Sequence, residues 1–183
     1  SGNIGIGTTA PTGVLSIAGA SGVGSNVYID NHAADADSAN IIIRKSRNAT
    51  VGSHTAVNSA DVLGALYFQG SDGDSYETGS LIKATADEAW SGSALGAALT
   101  FHTVDNTTTT LDERMRIDHN GNVGIGDTAP DANLCINQAA LDTAIFTLKS
   151  SDVGHGLTDV FQTDTYFSLK KAAGATGGIQ MNA

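Results

Sequence analysis

The chain has 183 residues, with 9 Lys+Arg against 19 Asp+Glu and a formal net charge of -10. That balance offers no basic stripe for a nucleic acid, no stretch reaches 18 unbroken apolar residues for membrane insertion, and no signal peptide opens the chain. The single Cys135 supports neither an internal disulfide nor a multi-thiolate metal site.

Apolar residues make up 40% of the chain, enough to bury, yet glycine numbers 22 against ten aromatics. A core must therefore come largely from Val, Ile, Leu and Ala. Such a composition suits thin layers of strands, where β-branched residues pack and glycine lets backbones approach. It equally suits an obligate oligomer in which chains complete one another's core.

Residues 2–17 read GNIGIGTTAPTGVLSI, and residues 121–136 read GNVGIGDTAPDANLCI, ten identities in sixteen at a constant offset of 119. The first copy starts at Ser1-Gly2-Asn3 without an incoming strand, so the chain is expected to begin inside a hairpin, as one module and the start of another. Strand-like text follows in NVYIDN (26–31) and IIIRKS (41–46), while His32–Ala39 reads as a short helix or as a loop. Apolar runs then recur between turns: 62–70, the turn SDGDS, 79–86, the loop DEAWSGS (87–93), 94–103, the loop 104–113 and RMRID (114–118). Asn120-Gly121 marks a hairpin into NVGIG, with a type I′ turn expected from the dipeptide. AIFTLKS and DTYFSLKK supply further strands in the second copy.

These spacings predict an all-β fold of short-stranded antiparallel sheets or sandwich-like modules. Three stretches are expected: a strand-rich first repeat copy over 1–60, a central β module ending in a hairpin over 61–120, and a second, incomplete copy over 121–183.

Three segments, GALYFQGSDGD (64–74), LTFHT (99–103) and TLDERMRIDHNGNVGIGDTAP (110–130), resemble repeated modules of bacteriophage tail fibres, most of all the marine and cyanobacterial type. The resemblance implies an elongated homotrimeric fibre segment on the extracellular face of the virion. Its partners would be itself, neighbouring fibre segments and a host-cell surface glycan. Related fibres often continue into a helical chaperone that cleaves itself off; the glycine-rich tail KKAAGATGGIQMNA does not match one. Around a three-fold axis, Val123, Gly124, Ile125 and Gly126 would fill a narrow shared core. No enzymatic activity and no cofactor are expected, the alternatives being a fragment of a polysaccharide-depolymerising tailspike or a bacterial surface adhesin.

Candidate sites are few. Trp90, the only tryptophan, lies beside Asp87 and Glu88 in an inter-strand loop, a pairing that suits a sugar ring stacked on the indole with hydroxyls bonded to carboxylates. Tyr76 offers a second aromatic platform. The competing reading folds Trp90 back to cap the core. Of the five histidines (32, 54, 102, 119 and 155), none has metal-site spacing, although His102 on its strand could meet its copies at an axis and bind an ion. Asp118 to Asn122 has oxygen-ligand spacing but lacks the glycine and glutamate of a calcium loop. Asp35/Asp37 and Asp72/Asp74 fit solvated turns better than an acid/base pair. Arg114 and Arg116 should share one strand face, with an inter-chain ion-pair ladder as one outcome. Cys135 stands where the first copy has Ser16, a position for a small buried residue.

Overall fold

Glycine-punctuated runs of β-branched and aromatic residues leave the chain little choice but strands, and in the computed structural model strands are the only regular elements among the described residues. Those residues are 2–19, 25–32, 34–140, 144–150, 164–171 and 178–182. The expected His155 and part of the glycine-rich tail lie outside them.

The chain divides into Ser1–Ile42 and Ile43–Ala183. The boundaries read from sequence at 60/61 and 120/121 do not coincide with this division. The segment from Ile43 joins the larger unit because Arg47 bonds Asp61 and Val57 accepts the Trp90 amide. Residue 120 lies in a hairpin loop inside a continuous sheet.

In the smaller unit, β1 (Ile4–Ile6) and β2 (Leu15–Ile17) pair in parallel. The expected strands at 26–31 and 41–46 do not form. Both runs lack a partner strand, and Tyr28 and Ile41 stand 80% and 75% exposed. An extended segment without a neighbour has no ladder to join.

The larger unit carries a six-stranded sheet in strictly sequential order: β3 (Val62–Ser71), β4 (Tyr76–Ala86), β5 (Ala97–Val104), β6 (Leu111–Ile117), β7 (Val123–Ile125) and β8 (Leu134–Ile136). All neighbours are antiparallel except β7 and β8, which are parallel. The sheets are antiparallel as expected, with parallel pairs only where the repeated motif occurs among the described residues. A separate antiparallel sheet contains β9 (Ala144–Lys149), β10 (Thr165–Lys171) and β11 (Ile179–Asn182), in the order β11-β10-β9. Phe146 and Phe167 meet edge-on there, with ring centroids 6.3 Å apart. β11 falls in the glycine-rich tail.

The two copies of the motif fold alike. Ile4↔Leu15 in one corresponds to Val123↔Leu134 in the other, again 119 residues on. Asn3 and Asn122 donate from Nδ2 to the carbonyls of Pro11 and Pro130. Thr8 Oγ1 accepts from the Ala10 amide, and Asp127 Oδ1 from that of Ala129. The loop is short for a parallel connection, and glycine permits it. Gly126 has φ +66°, and a Cβ there would strike the Asn137 carbonyl; Gly7 has φ +74° and faces Ala18 in the same way. A Cβ on Gly124 would strike the Asp127 carbonyl. These glycines are thus required within one chain.

Very little is buried by one chain. Among described residues the apolar core amounts to Val57, Leu81, Ala86 and Ala98, and no large side chain is fully buried. The accessible surface is 13409 Å², whereas a compact monomer of this mass exposes about 8,200 Å².

Candidate functional site

The β4–β5, β6–β7 and β7–β8 loops meet at one end of the six-stranded sheet, because antiparallel order returns every second connection to the same end. Together they line an open cleft of roughly 380 Å³, bounded by Asp87, Arg116, Asp118, His119 and the run Thr128–Pro130.

The β4–β5 loop closes on Gly96. Its amide donates to Glu88 Oε1 at 2.7 Å, and its carbonyl accepts both the Asp87 amide at 3.0 Å and the Trp90 indole N–H at 3.1 Å. The Trp90 amide donates to the carbonyl of buried Val57 at 2.9 Å. Trp90 is half-buried and folded back onto its own loop. Its polar edge and one oxygen of Glu88 are thereby engaged in holding the loop. Asp87 Oδ2 lies 3.0 Å from His119 Nδ1, and the Asp87 carbonyl accepts from Ser59 Oγ.

Asp87, Glu88 and Trp90 therefore do lie together, and Tyr76 does not join them. Tyr76 opens β4 while Ala86 ends it, which sets the tyrosine about 33 Å from this end of the strand. Within one chain it forms no shared platform with Trp90. The residues that sequence reading left out of this cluster are His119 and Arg116, which arrive through strand pairing 30 residues away; only the register of the sheet could have placed them.

Asp118 organises the β6–β7 hairpin. Its Oδ1 accepts from the amides of Asn120 and Asn122, its Oδ2 from Asn122 Nδ2, and its carbonyl from the Gly121 amide. Burial alone would raise this carboxyl, but the Asn122 and Asn120 donors outweigh it and hold it below the ordinary value. Gly121, at φ +83°, is the left-handed residue, while Asn120 is not. The hairpin is thus a type I turn closed by a left-handed glycine, rather than the expected type I′ turn. Its carboxylate serves the turn, and among the described residues no group of three or more His, Cys, Asp or Glu is arranged to hold a metal ion. Asp72 plays the same part in the β3–β4 turn, accepting from the amides of Asp74 and Ser75.

Arg116 grips Glu113 through two bonds, at 2.6 and 3.1 Å, and donates to the carbonyl of Thr128. The pair lies within one chain and ties β6 to the loop of the repeated motif. Hydrogen bonding to Glu113 raises the Arg116 pKa. Arg114 does not share its face as expected. A bulge opposite Phe101 and His102 leaves Arg114 outside the ladder, and its Nε donates to Thr103 Oγ1.

His102 is hydrogen-bonded to Thr100 Oγ1 at 2.9 Å. Burial, followed by the nearby Lys83, lowers its pKa. Cys135 is half-buried, with its Sγ 3.4 Å from Asp131 Oδ1.

No protein-family model and no curated protein matches the sequence. Solved structures do. The carboxy-terminal domain of the bacteriophage T5 L-shaped tail fibre aligns at a TM-score of 0.51 and 14% identity, over 86% of this chain and 81% of that one. The fold is that of a phage tail-fibre domain. The same T5 domain with its intra-molecular chaperone domain aligns at 0.50 and 15% identity, over 85% of this chain and 55% of that longer one. At these identities the likeness is one of fold. Among the described residues no helix is long and apolar enough to cross a membrane.

Proposed function

We propose that the chain is a structural segment of a homotrimeric phage tail fibre, carried on the outside of the virion, and that its loop cluster supports or presents a surface for host-cell glycans. The observation that carries this reading is the surface left open by one chain. About 5,200 Å² more is exposed than a compact monomer would leave, and Ile4, Ile6, Leu66, Phe68 and Ile125 are among the large apolar residues in it. Obligate interfaces bury roughly 2,000–5,000 Å² each, shared between partners, so two neighbours would cover roughly that much of one chain's open surface. The fold likeness to a tail-fibre domain supports the same reading. The marine-phage likeness of the ERMRI and VGIG segments belongs to it as well.

The glycan part rests on Trp90, Asp87 and Glu88 standing together beside an open cleft. Turnover is not part of the proposal: in this cluster Asp118 serves a turn and Glu88 holds a loop. Light scattering tests the assembly. Three chains of 18.6 kDa give about 56 kDa, and a folded species at 18.6 kDa refutes it. A glycan array probed with the wild-type trimer tests recognition, with loss of signal expected in Trp90→Ala.

A further inference from the structure

Following the register across the six-stranded sheet brings one row of side chains into line: Leu66, Ile82, Phe101, Met115, Ile125 and Ile136, one from each strand from β3 to β8. Residues opposite one another in a ladder share a face, so all six lie on the same side. The next row on that side runs from Gly64 and Ala84 through Leu99, Ile117 and Val123 to Leu134. Neither row contains a charged or polar side chain. The opposite face is more polar: Ala65, Lys83, Thr100, Arg116, Gly124 and Cys135 form one of its rows, and Leu81, His102 and Glu113 stand in another.

The apolar face is scarcely covered by its own chain. Leu66 is 51% exposed, Ile125 42%, Leu99 38% and Leu134 58%. Ile43 reaches one corner, where its side chain lies against Gly64 and leaves a hollow of about 230 Å³ lined by Leu66, Ile82, Ala84 and Leu99.

We infer that this apolar face is the surface on which the copies of the chain meet, each sheet turning its two apolar rows inward toward the other two. The inference rests on the trimeric reading above and assigns it a surface. A second copy is the occupant for two reasons. The surface in excess, about 5,200 Å², leaves room for two obligate neighbours, which remove roughly 2,000–5,000 Å² from one chain. Two adjacent rows without a charged or polar side chain also have the composition of a permanent self-association rather than of a transient partner, and the face turns polar only at its next row, with Ser80, Thr103 and Asp112. It follows that His102 faces away from the axis, where a three-histidine ion site would need it.

Leu66 and Tyr67 provide a matched test, since they are adjacent on β3, point to opposite faces and are 51% and 60% exposed. Lysine is introduced at each, and mass is followed by light scattering on dilution. The trimer is expected to dissociate at least tenfold more readily in Leu66→Lys and to be unchanged in Tyr67→Lys. Cysteines at the same two positions in a Cys135→Ser chain give a reading on the folded assembly: the Leu66→Cys thiol should be labelled at least tenfold more slowly than the Tyr67→Cys thiol. A wild-type chain folded at 18.6 kDa overturns the trimer itself. A wild-type trimer with equal labelling rates, or with protection at position 67 instead, overturns only the face assigned to it.

Discussion

Arg47 meets Asp61 through one edge of its guanidinium, Nε donating to Oδ2 at 2.6 Å and Nη2 to Oδ1 at 2.9 Å. The Asn58 amide donates to the same carboxylate, while the Asp61 carbonyl accepts from the Ala86 amide. One aspartate thus fastens the segment leading into β3 to the far end of β4. The Arg47 bond, with the Asn58 amide behind it, holds the Asp61 carboxyl far below the ordinary carboxylate range. A depressed acid stabilises the fold above its unfolded pKa, about 3.9, and that contribution is lost as pH falls through the folded value. Between pH 5 and pH 2 the wild-type melting temperature should therefore fall more steeply than that of Asp61→Asn. Parallel curves for the two proteins would contradict this.

His102 shifts stability in the same direction as Asp61, but over a higher range of pH. Its folded pKa is lowered, chiefly by burial, so the folded state prefers the neutral ring. The stabilisation is complete above the unfolded value, about 6.5, and declines as pH drops from there toward the folded value. His102→Gln should flatten this decline between pH 7.5 and 5.5. Thermal melts at half-unit intervals give the comparison, and a variant as pH-sensitive as the wild type counts against the assignment.

Gly126 and Gly121 separate backbone strain from collision. Both have positive φ, but a Cβ at Gly121 meets nothing within 4 Å, while one at Gly126 strikes the Asn137 carbonyl. Gly121→Ala should cost about 1–2 kcal/mol, the left-handed penalty alone. Gly126→Ala should cost distinctly more, since the β7–β8 loop must move as well. Urea titrations that rank the two equally would remove the collision from the account.

Trp90→Phe keeps an aromatic ring and deletes the N–H bonded to Gly96. A loss of about 1 kcal/mol is expected, read by denaturant melts with far-UV circular dichroism, and with no change of secondary structure in the folded protein. If glycan binding depends on ring stacking, it should survive in Trp90→Phe and vanish in Trp90→Ala. Equal loss in both variants would point to loop structure rather than to stacking.

The strands of the central sheet were legible because their evidence is local. Alternation at Leu99 to Thr103, the Asp72-Gly73-Asp74 turn and the Asn120-Gly121 dipeptide each lie within a few residues. Turn type was less legible, because Asp118 supplies acceptors that make a type I turn as stable as the one the dipeptide favours. The parallel pairing of β7 with β8 had no local signal: it follows from how Gly124 and Gly126 let the loop press on Asp127 and Asn137. The apolar runs at 26–31 and 41–46 have strand composition, but a strand also needs a neighbour, and composition does not supply one. At the candidate site, proximity in sequence correctly grouped Asp87, Glu88 and Trp90. It overreached to Tyr76, at the other end of β4, and missed His119, which only the sheet brings near.

The motif that occurs twice keeps its main bonds to itself. Asn3 to Pro11, Thr8 to Ala10 and Ile4 to Val14 all close within the first copy, and their counterparts recur 119 residues later with Asp127 replacing Thr8 and still accepting the same amide. A junction that satisfies its own backbone makes few demands on whatever precedes or follows it. Genes built from such units can exchange, duplicate or drop the stretch between two junctions while each new boundary finds its turn already formed. The same few glycines that force a tight bend thus make the sequence editable at that bend.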